Sequence, residues 1–243
     1  MRWSACFTLL IGCIALSACT AKGAGTAGEQ PVFEEPCTAE EVIDDVSALQ
    51  WNGVHYRADI SSDTSSLQKG REIGQVSKKR LDQVKSGDDM NDGDATLLEA
   101  GTKLYEVQGY KPEARLLTGD GKLFVACNNP DAKTINELLD IEGKVVAVRF
   151  ISGRDSSPLS EFTPEKIPVF AEQYANLSYS SYDDLAQAYK HLEGTNYSLE
   201  IELQDRALIR LSYNPRHHVM IPGGAVSEEM DALLTEQRAL IYN

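Results

Sequence analysis

Apolar and polar positions alternate most regularly between residues 197 and 213. Tyr197, Leu199, Ile201 and Leu203 alternate with Ser198, Glu200 and Glu202, the period of a strand with one buried face. Gln204-Asp205-Arg206 turns the chain. Ala207, Ile209, Leu211 and Tyr213 then face one way and Arg210 and Ser212 the other, which sets Glu200 and Glu202 across a hairpin from Arg210. His217 to Ile221 reads as a third strand, ended by Pro222-Gly223-Gly224, and Lys144 to Ile151 as a buried strand after Gly143. Helical spacing appears between these strands. Thr134-Ile135-Asn136-Glu137 forms a capping box ahead of Leu138 and Leu139. Thr163-Pro164 starts a helix as N-cap and first residue. Ser181 precedes Leu185, Ala188, Tyr189 and Leu192; Ser227 precedes Met230, Leu233, Leu234 and Gln237. Residues 131–243 therefore predict an α+β domain, an antiparallel sheet with helices on one face.

Residues 37–130 read differently. Thr38-Ala39-Glu40-Glu41 opens a short helix with Val42, Val46 and Leu49 on one face. Short strands follow at Val54–Arg57, Glu72–Val76 and Lys103–Val107, separated by polar loops at 61–70 and 85–94. Ala114–Thr118 and Lys122–Ala126 flank Gly119-Asp120-Gly121, a hairpin turn. Strands at such spacing predict a small, β-rich, barrel- or sandwich-like domain.

The N-terminus has a different character. Arg2 precedes the apolar run Phe7 to Leu16, too short for a membrane span but fitting a secretory signal. Leu16-Ser17-Ala18-Cys19 resembles the lipobox of bacterial lipoproteins. That resemblance implies a signal peptide over 1–18, cleavage before Cys19, and a diacylglycerol on its thiol. Several buried acyl chains, palmitate among them, hold a protein where one chain is marginal. Residues 19–36 are rich in Ala, Gly and Thr and then acidic, the composition of a flexible tether. Gly23-Ala24-Gly25-Thr26-Ala27-Gly28 matches a dinucleotide-binding pattern, but no strand precedes it, so it reads as linker composition.

Cysteine usage follows from that cleavage. Cys6 and Cys13 leave with the signal and Cys19 is lipidated, so Cys37 and Cys127 remain. Outside the membrane they are either a disulfide closing a loop of about 90 residues, worth roughly 3–4.5 kcal/mol, or two buried thiols. No C-x-x-C points to redox chemistry.

Charge narrows the function classes. The 243 residues carry 37 acidic and 23 basic side chains, a net charge of -14; losing Arg2 with the signal leaves -15. A nucleic-acid partner is excluded on that balance, because phosphate contacts need clustered Lys and Arg.

The densest candidate for chemistry is Asp88-Asp89-Met90-Asn91-Asp92-Gly93-Asp94 through Glu99. With Gly93 at the sixth position of a calcium loop, Asp88, Asp92 and Glu99 fall at positions one, five and twelve. Met90 at position three cannot ligate, and the flanks read as loop and strand, so a solvated acidic turn competes with calcium; no other cofactor is implied. His217 and His218, adjacent on a strand, point to opposite faces and share no metal. Neither H-E-x-x-H, G-x-S-x-G nor a P-loop occurs, so no catalytic residue is assigned. Tyrosines within 174–182 and 197–213 either line a ligand groove or belong to the core and its rim.

Trp51-Asn52-Gly53-Val54-His55-Tyr56, Ile73-Gly74-Gln75-Val76, Asp92-Gly93-Asp94-Ala95-Thr96-Leu97-Leu98 and Gly101-Thr102-Lys103-Leu104-Tyr105-Glu106-Val107-Gln108-Gly109-Tyr110 together resemble surface lipoproteins of Bacillales bacteria over residues 51–130. The resemblance favours a Gram-positive membrane and carries no catalytic residue across. The expectation is a lipid-anchored protein on the extracytoplasmic side of the cell membrane, a non-enzymatic binding or sensory accessory module whose partner is an envelope protein or a small ligand. Two alternatives stand beside it: an envelope hydrolase with a site between the two halves, and a calcium-dependent adhesion module.

Overall fold

The computed structural model describes residues 47–80 and 90–242. Eight strands form the first sheet: β1 (Ala48–Trp51), β2 (Val54–Asp59), β3 (Lys69–Gln75), β4 (Lys78–Lys79), β5 (Asp94–Ala95), β6 (Lys103–Val107), β7 (Arg115–Thr118) and β8 (Leu123–Asn128). Their order is β3-β6-β7-β8-β2-β1-β5-β4, antiparallel except where β4 meets β5. The sheet curls but stays open, with β3 and β4 at its two edges.

Leu49 lies in β1, not in a helix. Asn52 and Gly53 both take positive φ, 51° and 76°, and turn the chain so that Trp51 pairs with Val54 and Leu49 with Tyr56. An Asn-Gly turn of this kind matches the twist of a hairpin, and tertiary pairing overrides the helical spacing. The helix expected from Thr38 to Val46 lies outside the described residues.

Five strands form the second sheet, in the order β10-β9-β11-β12-β13 and antiparallel throughout. They are β9 (Val145–Ile151), β10 (Pro158–Glu161), β11 (Tyr197–Leu203), β12 (Leu208–Asn214) and β13 (Val219–Ile221). Four helices accompany them: α1 (Ile135–Leu139), α2 (Ile167–Ala175), α3 (Tyr182–Ala188) and α4 (Glu228–Ala239). Thr134, Ser181 and Ser227 cap α1, α3 and α4 through side-chain oxygens, as their sequences predict. By contrast, α2 starts three residues beyond Pro164. Thr163 bonds Glu165 at 2.6 Å and its carbonyl receives the N–H of Lys166, so 163–166 form a separate turn and Pro168 sits in the first helical turn.

The helices do not share one face of the second sheet. Along β13 the side chains alternate, Met220 joining the main core while Val219 and Ile221 pack with Leu185 of α3 and Leu192. Phe170 and Tyr174 of α2 and Met230, Leu233 and Leu234 of α4 pack on the Met220 side with Phe150, Leu199, Leu211 and Tyr213. That core is continuous with Leu49, Tyr56, Leu104, Leu116 and Phe124 of the first sheet. Two packed sheets with a few helices make the fold mainly β.

The second sheet's other face carries charge. Glu200 pairs with Arg149 on one neighbouring strand and Arg210 on the other, at 3.8 and 3.9 Å. Glu202 turns to Arg149 rather than to Arg210. Glu200, only 8% exposed, is thus flanked by two guanidinium groups.

Candidate functional site

A cleft lies beside two extended segments. Residues 177 and 179 bond to the 133–135 segment through Ile135 N–H to Leu177 O and Tyr179 N–H to Lys133 O. The main-chain groups of Ser178 therefore point the opposite way. On the facing segment, Gly224 O accepts from Met220 N–H, and Val226 N–H donates to His218 O, so Ala225 points away from β13. The segments touch where Ser180 N–H donates to Gly223 O at 2.9 Å. In that register Ser178 faces Ala225, and there the cleft lies.

The cleft has a volume of about 370 Å³ and is walled by the end of α2 and the start of α4. Leu177, Val226 and Met230 supply its apolar surface; Gln173, Asn176, Ser178 and Ser227 supply the polar groups. None of its lining side chains is ionisable. Asn176 Nδ2 donates to Glu172 O, and Ser227 Oγ accepts from Met230 N–H. The Oε1 of Gln173 is buried and takes no hydrogen bond from any described residue. Gly224 lets the two segments touch at Ser178 itself: a Cβ there would lie 2.6 Å from Ser178 O.

A hydroxyl, an imidazole and a carboxylate meet beside α4. Tyr213 OH donates to Asp231 Oδ1 and lies 3.5 Å from His218 Nδ1, which lies 3.2 Å from Asp231 Oδ2. A nucleophilic relay runs from hydroxyl to base to orienting acid. Here the carboxylate holds the hydroxyl directly, and burial followed by Asp231 pushes the Tyr213 phenol well above its ordinary value. That phenol is held protonated, which suits a clasp between α4 and β12 rather than a nucleophile. Its three groups come from β12, the turn before β13 and α4, and none from the first sheet.

The residues expected to ligate calcium are dispersed among protein partners. Asp92 Oδ1 accepts from Gly53 N–H at 3.1 Å, and Glu99, largely exposed, pairs with Lys79 at 2.5 Å. Asp94 is buried and paired with Arg80 at 3.3 Å. Asp88 lies outside the described residues, and among those described no three His, Cys, Asp or Glu side chains gather to hold a metal.

Cys19 and Cys37 lie outside the described residues. Cys127 is disulfide-bonded, its sulfur 3.4 Å from the His55 carbonyl oxygen. The tyrosines are mostly structural. Tyr174 is buried and donates to Pro222 O at 2.9 Å; Tyr179 donates to Asn128 Oδ1 at 3.0 Å; Tyr197 and Tyr213 pack 6.1 Å apart. His217 and His218 stand on the turn before β13, where His218 takes φ 53°; His217 packs against Tyr189 while His218 meets Asp231. The groove escaped the sequence reading because its walls come from two separated stretches, 173–178 and 225–230; the one local signal was Pro222-Gly223-Gly224, whose glycines let the two stretches approach closely.

No family model matches the chain, and no curated protein or solved structure matches it either.

Proposed function

We propose that the protein is a lipid-anchored module on the extracytoplasmic side of a cell membrane, of the kind found among Gram-positive surface lipoproteins, and that it binds rather than hydrolyses. The disulfide at Cys127 carries the compartment: disulfides persist in oxidising surroundings and are rare in the cytosol. It agrees with the order of Arg2, the apolar run and Leu16-Ser17-Ala18-Cys19. Cys37 is the partner this reading gives Cys127. Binding is favoured over hydrolysis by the uncharged lining of the groove, which has hydrogen-bonding groups to orient a ligand and no side chain to move a proton.

Fractionation of cells expressing the parent chain and Cys19→Ala tests the anchoring. The parent belongs in the membrane fraction with an acylated N-terminal Cys19 by mass spectrometry, and the variant in the soluble extracytoplasmic fraction. Recovery of the parent from cytosol with residues 1–18 attached would overturn the reading.

A further inference from the structure

We infer that Asn52 is a site of spontaneous covalent modification, its conversion by water to aspartate and isoaspartate, and that the carboxylate of Asp92 restrains it. The inference goes beyond the binding reading and depends on neither the groove nor the anchor. Asn52-Gly53 is the one Asn-Gly pair in the chain and forms the exposed turn between β1 and β2. Having no side chain, Gly53 puts nothing in the way of a bond between its nitrogen and Asn52 Cγ. A Cβ there would meet nothing within 4 Å, so solvent reaches the turn. In the reaction Gly53 N loses its proton and bonds to Asn52 Cγ, and the Nδ2 group takes up a proton and leaves as ammonia. Water then opens the succinimide ring at either carbonyl. One product is aspartate; the other carries the main chain through the side-chain methylene of residue 52. The structure places a restraint on the first step: Gly53 N–H donates to Asp92 Oδ1 at 3.1 Å, from another turn 39 residues away. Removing that proton would leave an anionic nitrogen facing a carboxylate, and like charges disfavour it. The two Asp-Gly pairs, which can close the same ring, are held differently. Gly93 N–H is buried and donates to Gln50 O at 2.8 Å, and Gly121 N–H donates to Thr118 O at 3.0 Å, both main-chain acceptors. Their carboxylates are also poorer electrophiles than an amide. Asn52 thus combines an exposed turn with a nitrogen held by a side chain. An isoaspartate there would lengthen the turn that pairs Trp51 with Val54 and loosen the closing end of the hairpin.

Site-resolved mass spectrometry of the full chain in detergent, held in mildly alkaline buffer, tests this, with electron-transfer fragmentation to separate aspartate from isoaspartate. The same chain in urea sets the unrestrained rate. Asn52 should convert in the folded parent about tenfold more slowly than in urea, and Asp92→Ala should restore most of that factor, the worth of one charge-assisted hydrogen bond. Far-ultraviolet dichroism checks that the variant is folded; if Asp92→Ala does not fold, Asp92→Ser decides in its place. Conversion as fast in the folded parent as in urea would overturn the inference. So would a folded variant that converts no faster than the parent, or isoaspartate appearing at Asp92 or Asp120 ahead of Asn52.

Discussion

The guanidinium of Arg115, with no exposed side-chain surface, reaches Asp205 across 90 residues of sequence, Nη1 lying 3.2 Å from Oδ2. Arg115 stands on β7 and Asp205 in the turn between β11 and β12, so this pair ties the first sheet to the second. Tyr110 packs against the guanidinium, its ring 4.2 Å below, and the Lys144 ammonium approaches the same ring at 4.9 Å. Lys144 in turn pairs with Asp140 at 3.1 Å, and Asp140 accepts from Lys111 N–H. Two cations and two carboxylates thus surround one aromatic ring where the sheets meet.

Arg115 has one carboxylate partner, while its Nε and Nη2 find no acceptor among the described residues. Removing the carboxylate strands a buried cation; removing the cation does not strand the partly exposed Asp205. Asp205→Ala should therefore cost about 3–5 kcal/mol, and Arg115→Met distinctly less. Urea denaturation of both variants checks the order. Equal costs, or a larger loss for Arg115→Met, would show that the ion pair is not what stabilises the junction.

Alkaline pH should unfold the protein sharply. Burial is the leading cause that raises the phenols of Tyr56, Tyr110, Tyr174, Tyr179 and Tyr213 above their ordinary value of 10.0, with Tyr179 pushed up to about 12. Below pH 10 both folded and unfolded chains keep these protons, and the contribution is constant. Above it the unfolded chain ionises first, so stability falls as pH rises towards the folded values. Tyr56 and Tyr174, 2% and 0% exposed, should together give a slope of about 3 kcal/mol per pH unit. Ultraviolet titration should show one group of tyrosines ionising reversibly and a second only as far-ultraviolet dichroism is lost.

The disulfide should show as chemistry and as stability. Non-reduced mass spectrometry of the mature protein should find Cys37 joined to Cys127, and reduction should lower stability by about 2–5 kcal/mol. Two free thiols in protein isolated without reductant would retire both the bridge and the compartment argument.

Much of the second sheet could be read locally. The alternation from Tyr197 to Tyr213 gives β11, the turn and β12 within a residue, and Ser181 and Ser227 mark their helices because a cap is a contact between near neighbours. What local pattern misses is pairing at a distance. Nothing in the sequence of β6 and β3 says that they pair, nor that β8 lies beside β2. Arg115 reads as a polar position of a half-buried strand, since the carboxylate that admits it to the interior is 90 residues away. Leu49 has helical neighbours in sequence, but Asn52-Gly53, three residues on, is the stronger signal and reverses the chain. Of the candidate site, only the break at Pro222-Gly223-Gly224 was legible, because the cleft exists only once α2, α4 and the 177–180 segment have converged.

Gly74 and Trp51 supply a sensitive test of the first sheet's packing. A Cβ at position 74 would lie 2.2 Å from the Trp51 ring, closer than packed atoms approach. The ring cannot swing freely, because Trp51 pairs with Val54 at the closing end of the β1–β2 hairpin and packs on the core. Gly74→Ala should therefore cost about 1–3 kcal/mol through overpacking. The chain has two tryptophans, Trp3 and Trp51, and cleavage before Cys19 would leave Trp51 as the single emitter of the mature protein. Its fluorescence should shift in Gly74→Ala before any global unfolding. Trp51→Leu removes the clash but not the strain of a side chain at φ 157°, so in that background Gly74→Ala should cost less by about 1–3 kcal/mol while keeping the backbone part. A cost that is the same in both backgrounds would place the penalty in the backbone at residue 74 and not in contact with the indole.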